Sequence, residues 1–390
     1  MIKPSPPVGA TLIVAGTTIG AGMLALPMIS HGLGFGVMAA FMLITWGMMA
    51  VAALLILEVN LTIKPGCSLF VMATETLQNK GKFLAIGSML FLFYALLAAY
   101  IAGGGSQLGQ YIPEHSELPI GQNSQGMLLF TLLFGTMASA GVRYVDICNR
   151  LLFLFMLGAF VIVLGILSPE VRPSQLISLP ENKWLGITVL PVVFTSFGYH
   201  GGIPSLIAYV GPNRQLLKRI FLLGSFLPLL VYLLWLATAL GQLDANQLAM
   251  IADDGSVTAL VTALTESSHS SFLESFIHIF TDLALITSFL GVALGLFDFM
   301  HSALNSSSRV KTAIAVYIPP LIIASLIPGA FVVALNFAAL ALAVLAIILP
   351  ALMLLELRKR GLVSKSATGI LFWPTVLFGV AICLLTLFYS

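Results

Sequence analysis

Few residues in this chain can do chemistry, and most of them fall in two short stretches. One is Gly16-Thr17-Thr18-Ile19-Gly20-Ala21-Gly22-Met23-Leu24-Ala25-Leu26-Pro27. The other, about half a chain later, is Phe194-Thr195-Ser196-Phe197-Gly198-Tyr199-His200-Gly201-Gly202-Ile203-Pro204. Each sets glycines and hydroxyls inside an apolar run long enough to cross a bilayer. Backbone left unpaired in hydrocarbon costs several kcal/mol per group, so a helix broken there survives only where it lines a cavity or a ligand. In the first stretch Gly20 and Gly22, on either side of Ala21, permit backbone conformations that a β-carbon resists. The half-helix restarting near Met23 aims N–H groups and a positive dipole end at a carboxylate, with no arginine required. Thr17 and Thr18 add hydroxyls. In the second stretch Thr195, Ser196 and Gly198 offer hydroxyls and loosened carbonyls to an ammonium. Phe194 and Phe197 flank them, and a ring over an aromatic ligand gains about 0.5–1.5 kcal/mol beyond area burial.

Ionisable groups at membrane depth are functional candidates by default. His200 is the histidine that falls within a break, and its titration range suits proton coupling. The competing reading is a neutral ring that hydrogen-bonds freed carbonyls. Asp282, about ten residues into its apolar run, either carries a coupling proton or pairs with His278 one turn earlier. Glu58, Asn60 and Asp298 fall near span ends, as gate or interfacial groups. Spans three and ten offer Tyr94, Tyr100, Gly103, Gly104 and Asn336; of these Tyr94 is a candidate aromatic wall, and the small residues at 103–105 suggest room for a large side chain.

The elements that must position these residues are membrane helices. Of 390 residues 59% are hydrophobic and only 8% charged, with mean hydropathy +1.06, against roughly 25% charged in soluble domains. Runs of about 20 apolar residues fall at 8–30, 34–57, 83–110, 124–141, 150–167, 185–210, 220–241, 271–300, 312–327, 331–355 and 369–389, which predicts eleven spans. The first is read as a retained helix, because it runs through a break into further spans. Basic residues set orientation. With the N-terminus cytoplasmic, Lys3, Lys64, Lys80, Lys82, Arg143, Arg150, Arg214, Lys218, Arg219, Arg309, Lys311, Arg358, Lys359, Arg360 and Lys365 lie inside. That leaves only Arg172 and Lys183 of the 17 outside. The outer loops are acidic, with Glu114, Glu117, Glu170, Glu181, Asp244, Asp253, Asp254 and Glu266, and the loop 242–268 has length for a surface helix. Five spans per half is an odd number, so the second half enters with opposite orientation. The prediction is an all-α integral membrane protein built as a 5+5 inverted repeat. The first repeat covers about 8–167, the second about 185–355, and 369–389 forms an accessory helix. Helices 1 and 6 are broken.

The break segments, and a third stretch from Asp282-Leu283-Ala284-Leu285 through Thr287-Ser288-Phe289-Leu290-Gly291 to Asp298, resemble the hydroxy and aromatic amino acid permeases of bacteria. These belong to the amino acid–polyamine–organocation superfamily. The likeness runs the whole length and leans to the tyrosine-specific members over the tryptophan-specific ones. It implies a leucine-transporter-like fold in the bacterial inner membrane and proton-coupled uptake of an aromatic amino acid. An aromatic residue at the Phe194 position would lie over the substrate as a lid. Thr287 and Ser288 take the place where sodium-coupled relatives put a hydroxyl pair. With the carbonyls of Gly16 and Ile19 they form either a sodium site or ordinary interhelical hydrogen bonds.

Other classes fit poorly. A channel would want a continuous polar stripe, whereas polar residues here cluster at two breaks. A membrane enzyme would want paired intramembrane aspartates or HExxH, and no GxxxxGK[ST] loop occurs, so an ion gradient is the expected energy source. Cys67, Cys148 and Cys383 form no CxxC and suggest no metal site. No cofactor and no nucleic-acid partner is expected. The partners are substrate, coupling ion and membrane lipid.

Overall fold

A computed structural model describes residues 6–113, 121–177, 185–267, 271–303, 308–364 and 369–388. All regular structure among them is helical. In chain order the helices are α1 Pro6–Thr18, α2 Gly22–Met28, α3 Gly34–Ile63, α4 Leu69–Gly109, α5 Gln122–Ser139, α6 Val142–Leu167, α7 Pro173–Leu176 and α8 Leu185–Thr188. They continue as α9 Leu190–Ser196, α10 Ile203–Val210, α11 Arg214–Gln242, α12 Ala245–Asp254, α13 Val257–Ser267, α14 Ser271–Ala303, α15 Arg309–Leu326, α16 Ala330–Ala343, α17 Leu349–Lys359 and α18 Phe372–Phe388. A π turn, Val344–Ile348, joins α16 to α17.

Each apolar run expected to span is helical where described, and the two predicted breaks are present. α1 and α2 meet at 45° across Ile19–Ala21. Between α9 and α10 the chain passes through Phe197–Tyr199 and a 3₁₀ turn, His200–Gly202. Among the described residues seven helices are long and apolar enough to cross a membrane, and α1 with α2 makes an eighth. α5, the α8–α10 segment and α18 lie at expected positions but outside that count.

Local sequence explains the joints. Proline sits in the first turn of both α9 and α10, where its missing N–H costs nothing. α10 stops at Gly211, whose φ of +91° a side chain would resist. The loop 242–268 holds two helices where one was expected. Asp244 and Gln247 close a capping box on α12, and Gly255 ends it in the left-handed region. α13 packs on α2, α4 and α14, so it is part of the bundle. α4 begins well before the apolar run at 83, because residues 69–77 form a less apolar helix ahead of a kink at Gln78.

The core is two apolar clusters, and the breaks lie where they meet. α2 and α9 contribute Met23–Leu26 and Val192–Phe194 to one cluster, with Ala21 and Phe197 of the breaks and with α14 and α16. α1 and α10 contribute Ala10, Val14, Ile203 and Ile207 to the other, with α3 and α17. Each broken helix therefore changes cluster at its break, and its unpaired backbone groups fall between two masses that offer them no water. They need side-chain partners or a ligand.

Candidate substrate site

At the first break the chain turns tightly. The amides of Met23 and Leu24 donate to the carbonyls of Gly20 and Ala21 at 3.1 and 3.0 Å. The Ala21 amide donates to Ser288 Oγ of α14 at 2.9 Å. Among the described residues the amides of Gly20 and Gly22 have no hydrogen-bond partner. The glycines also permit contact: a β-carbon on Gly20 would run into Ser288 Oγ, and one on Gly22 would lie 3.2 Å from Ser196 Oγ. Thr17 and Thr18 donate to the carbonyls of Ile13 and Val14 at 2.7 and 2.8 Å, one turn back. Their hydroxyls offer the break lone pairs, not protons. A β-carbon on Gly16 would meet Phe153 at 3.2 Å.

The second break is tied to the first. Ser196 Oγ lies 3.1 Å from the Gly22 carbonyl and 3.0 Å from that of Val192. Thr195 Oγ1 donates to the carbonyl of Leu335 in α16 at 2.9 Å. The amides of Phe197 and Gly198 close back onto Phe194 and Thr195. The two phenylalanines diverge. Phe197 stands edge-on to Tyr232 at 5.3 Å, whereas Phe194 packs against Phe378 of α18 at 6.0 Å. His200 is buried, and its Nε2 contacts the Met49 carbonyl at 2.9 Å. A carbonyl only accepts, so Nε2 carries the proton. Nδ1, also buried, has no partner among the described residues. This is the geometry of the neutral, backbone-pairing reading.

Two residues that the sequence reading passed over complete the site. The Tyr232 hydroxyl lies 2.6 Å from the Thr18 carbonyl and 2.8 Å from the Ser196 carbonyl. One turn on, Trp235 Nε1 donates to the Met23 carbonyl at 3.1 Å. Both side chains are fully buried in α11. The available signal was their spacing: a buried Tyr and Trp need partners for O–H and N–H, and three residues apart they share a helix face. Tyr100 reaches the Ser288 hydroxyl from α4.

The remaining candidates lie away from the breaks. Thr287 Oγ1 donates to Leu283 in its own helix at 2.8 Å, so the Thr287–Ser288 pair divides: one hydroxyl turns back, the other caps the break. Asp282 adjoins a polar cluster at the far end of α4. There Gln107 Nε2 donates to Thr281 Oγ1 at 3.1 Å and Gln110 Nε2 reaches Gln107 Oε1 and Thr258 Oγ1. Asp282 itself makes no hydrogen bond or ion pair among the described residues, with His278 or any other. Tyr94 donates to the Ala315 carbonyl of α15 at 2.7 Å, away from both breaks. The glycines at 103–105 do not leave room. A β-carbon on Gly103 would meet Leu285 at 2.7 Å, and Phe130 and Met127 crowd Gly104 and Gly105. At the opposite end of α3, Glu58 is bound by Arg214, and Asn60 holds the turn to α4 through the Gly66 amide and the Cys67 carbonyl. The acids Glu114, Glu117 and Glu181, and the basic residues Lys3, Lys183 and Lys365, lie outside the described residues. Among the described residues no three His, Cys, Asp or Glu side chains group as metal ligands would.

The fold has a solved counterpart. The crystal structure of a mutant manganese transporter from Eremococcus coleocola matches 97% of this chain and 85% of its own, with TM-score 0.65 and 12% identity. That likeness is one of fold, the leucine-transporter-like fold that the resemblance to the permeases implied. Sequence relatives are nearer. A tyrosine-specific transport system of Haemophilus influenzae is 38% identical over 90% of this chain and 88% of its own length. A tryptophan-specific transport protein of Pseudomonas aeruginosa is 36% identical over 90% and 86%. Residues 4–386 match the tryptophan/tyrosine permease family. The chain belongs to that family, and so is a multi-pass membrane transporter and not an enzyme.

Proposed function

We propose that this protein imports an aromatic amino acid, tyrosine before tryptophan, across a bacterial inner membrane by proton symport and alternating access. The observation that carries the reading is the joining of the breaks. Ser196 Oγ rests on the Gly22 carbonyl at 3.1 Å while the amides of Gly20 and Gly22 stay open. Those amides suit a carboxylate, the carbonyls around Thr18 and Ser196 suit an ammonium, and the Phe197–Tyr232 edge suits an aromatic ring. The names of the relatives support the same substrate class.

The chain is proposed to cross eleven times as two repeats, about 8–167 and 185–355, with 369–389 as an accessory helix. The N-terminus is cytoplasmic and the C-terminus periplasmic, as the separation of basic residues favours. Asp282, with no hydrogen bond or ion pair among the described residues, is the preferred carrier of the coupling proton, and His200 is the second candidate. A sodium site at Gly16, Ile19, Thr287 and Ser288 is less favoured, because Ser288 Oγ already accepts the Ala21 amide. Surrounding lipid completes the partners.

Counterflow in proteoliposomes tests the function. External labelled tyrosine should enter vesicles preloaded with tyrosine, and tryptophan and phenylalanine should compete. An imposed inward proton gradient should drive accumulation without sodium. Absence of exchange with all three amino acids would overturn the substrate class, and accumulation that needs sodium at constant pH would overturn the coupling. A reporter inserted at Gly361 should read as cytoplasmic and one at the C-terminus as periplasmic.

A further inference from the structure

Tyr232 has one proton for two acceptors. Its oxygen lies within hydrogen-bond distance of the last carbonyl of α1 and of the last carbonyl of α9, at 2.6 and 2.8 Å. A phenol donates once. At any moment one of these two carbonyls therefore faces a lone pair instead of a proton. The side chain has no room to swing between other positions, for it is fully buried, with the Phe197 ring edge-on at 5.3 Å. Trp235 fixes the same face of α11 to Met23. The neighbouring hydroxyls do not supply the missing proton. Thr18 Oγ1 donates to Val14, and Ser196 Oγ is directed to Gly22 and Val192.

We propose that Tyr232 is a positioning residue of the transport site. It holds the carbonyl ends of both broken helices at a spacing that leaves one acceptor open, and the protonated amine of the substrate supplies the second donor. The inference rests on the two breaks being the substrate site. It adds that recognition of the amine, as distinct from the carboxylate or the ring, passes through a side chain of α11. Ligands with an N–H donor gain from Tyr232, and ligands lacking one do not.

The test compares equilibrium binding of L-tyrosine and of 3-(4-hydroxyphenyl)propanoate, its desamino analogue, to purified parent and Tyr232→Phe. The expected result is a tenfold or greater loss of tyrosine affinity with the analogue changed less than twofold. Unaltered tyrosine affinity, or equal loss of both ligands as general damage to the fold would give, overturns the proposal. If Tyr232→Phe is not recovered folded, 3-fluorotyrosine at position 232 keeps the shape and changes the strength of the donor. Tyrosine affinity should then move at least threefold with the analogue fixed, and a parallel response of both ligands is again disproof. Failure of the substrate-site reading would show separately, as parent protein that binds neither compound.

Discussion

Ser288 Oγ accepts a hydrogen bond from the Ala21 amide at 2.9 Å, across 267 residues of sequence. The contact is possible because position 20 has no side chain: a β-carbon there would occupy the place of the Ser288 oxygen. Gly20→Ala should therefore cost about 1–3 kcal/mol, the usual range for overpacking a filled site, and lower uptake at least tenfold. Gly20→Ala/Ser288→Gly removes the obstructing oxygen and should recover part of the loss. Uptake rates of the two single variants and the double variant give the coupling directly, and strict additivity would argue against the contact.

An ionisable group inside an apolar span is costly to keep charged, and Asp282 makes no hydrogen bond or ion pair among the described residues, so it is expected to take up and release a proton in use. Asp282→Asn keeps the shape and cannot release a proton. It should exchange labelled for unlabelled substrate across vesicles yet fail to concentrate it, and its uptake should lose pH dependence. His200→Gln should keep concentrative uptake and lose stability instead, because the ring is committed to the Met49 carbonyl. Reversed phenotypes would exchange the two assignments.

Glu58 and Arg214 are unequal partners. The Glu58 side chain is 9% exposed and that of Arg214 46%. Removing the arginine strands a carboxylate in the protein, whereas removing the carboxylate leaves a cation that reaches water. Arg214→Ala should therefore destabilise by about 3 kcal/mol and Glu58→Gln by about 1 kcal/mol or less. Thermal unfolding in detergent, at matched lipid content, measures both, and equal losses would contradict the asymmetry.

Gln78 has φ +56° and ψ −142°, a conformation that suits glycine. It sits at the kink in α4, beside the Glu75 and Thr76 carbonyls to which Arg360 donates at 3.1 and 2.7 Å. Gln78→Gly should raise stability by about 1 kcal/mol, and Arg360→Ala should lower it, both read as shifts in Tm.

The breaks were legible in the sequence because glycine and proline carry conformational meaning wherever they occur. The start of α4 was not. Residues 69–77 include Glu75, Lys80 follows the kink, and hydropathy passes over a helix of that composition. Tyr232 and Trp235 were overlooked for a different reason. Their partners are main-chain oxygens, which have no residue type and leave no trace in a motif. The glycines at 103–105 were misjudged because a missing side chain reads equally as space for a ligand and as close packing. Phe130, Met127 and Leu285 are what fill it. Phe194 and Phe197 look alike in sequence, and only the packing of α18 and α11 tells them apart.

The π turn at Val344–Ile348 lies beside the His200–Gly202 turn and takes one residue more than a regular helix would. Each helical residue contributes about 100° of rotation and about 1.5 Å of rise. The azimuth of α17 is thus set by a single surplus residue upstream. Deleting Ala346 would leave a continuous helix of nearly the same length, but it would swing Arg358 off the Phe372 ring, now 4.7 Å away, and Arg360 off the end of the first segment of α4. One inserted residue next to the second break fixes which way the basic end of this helix points.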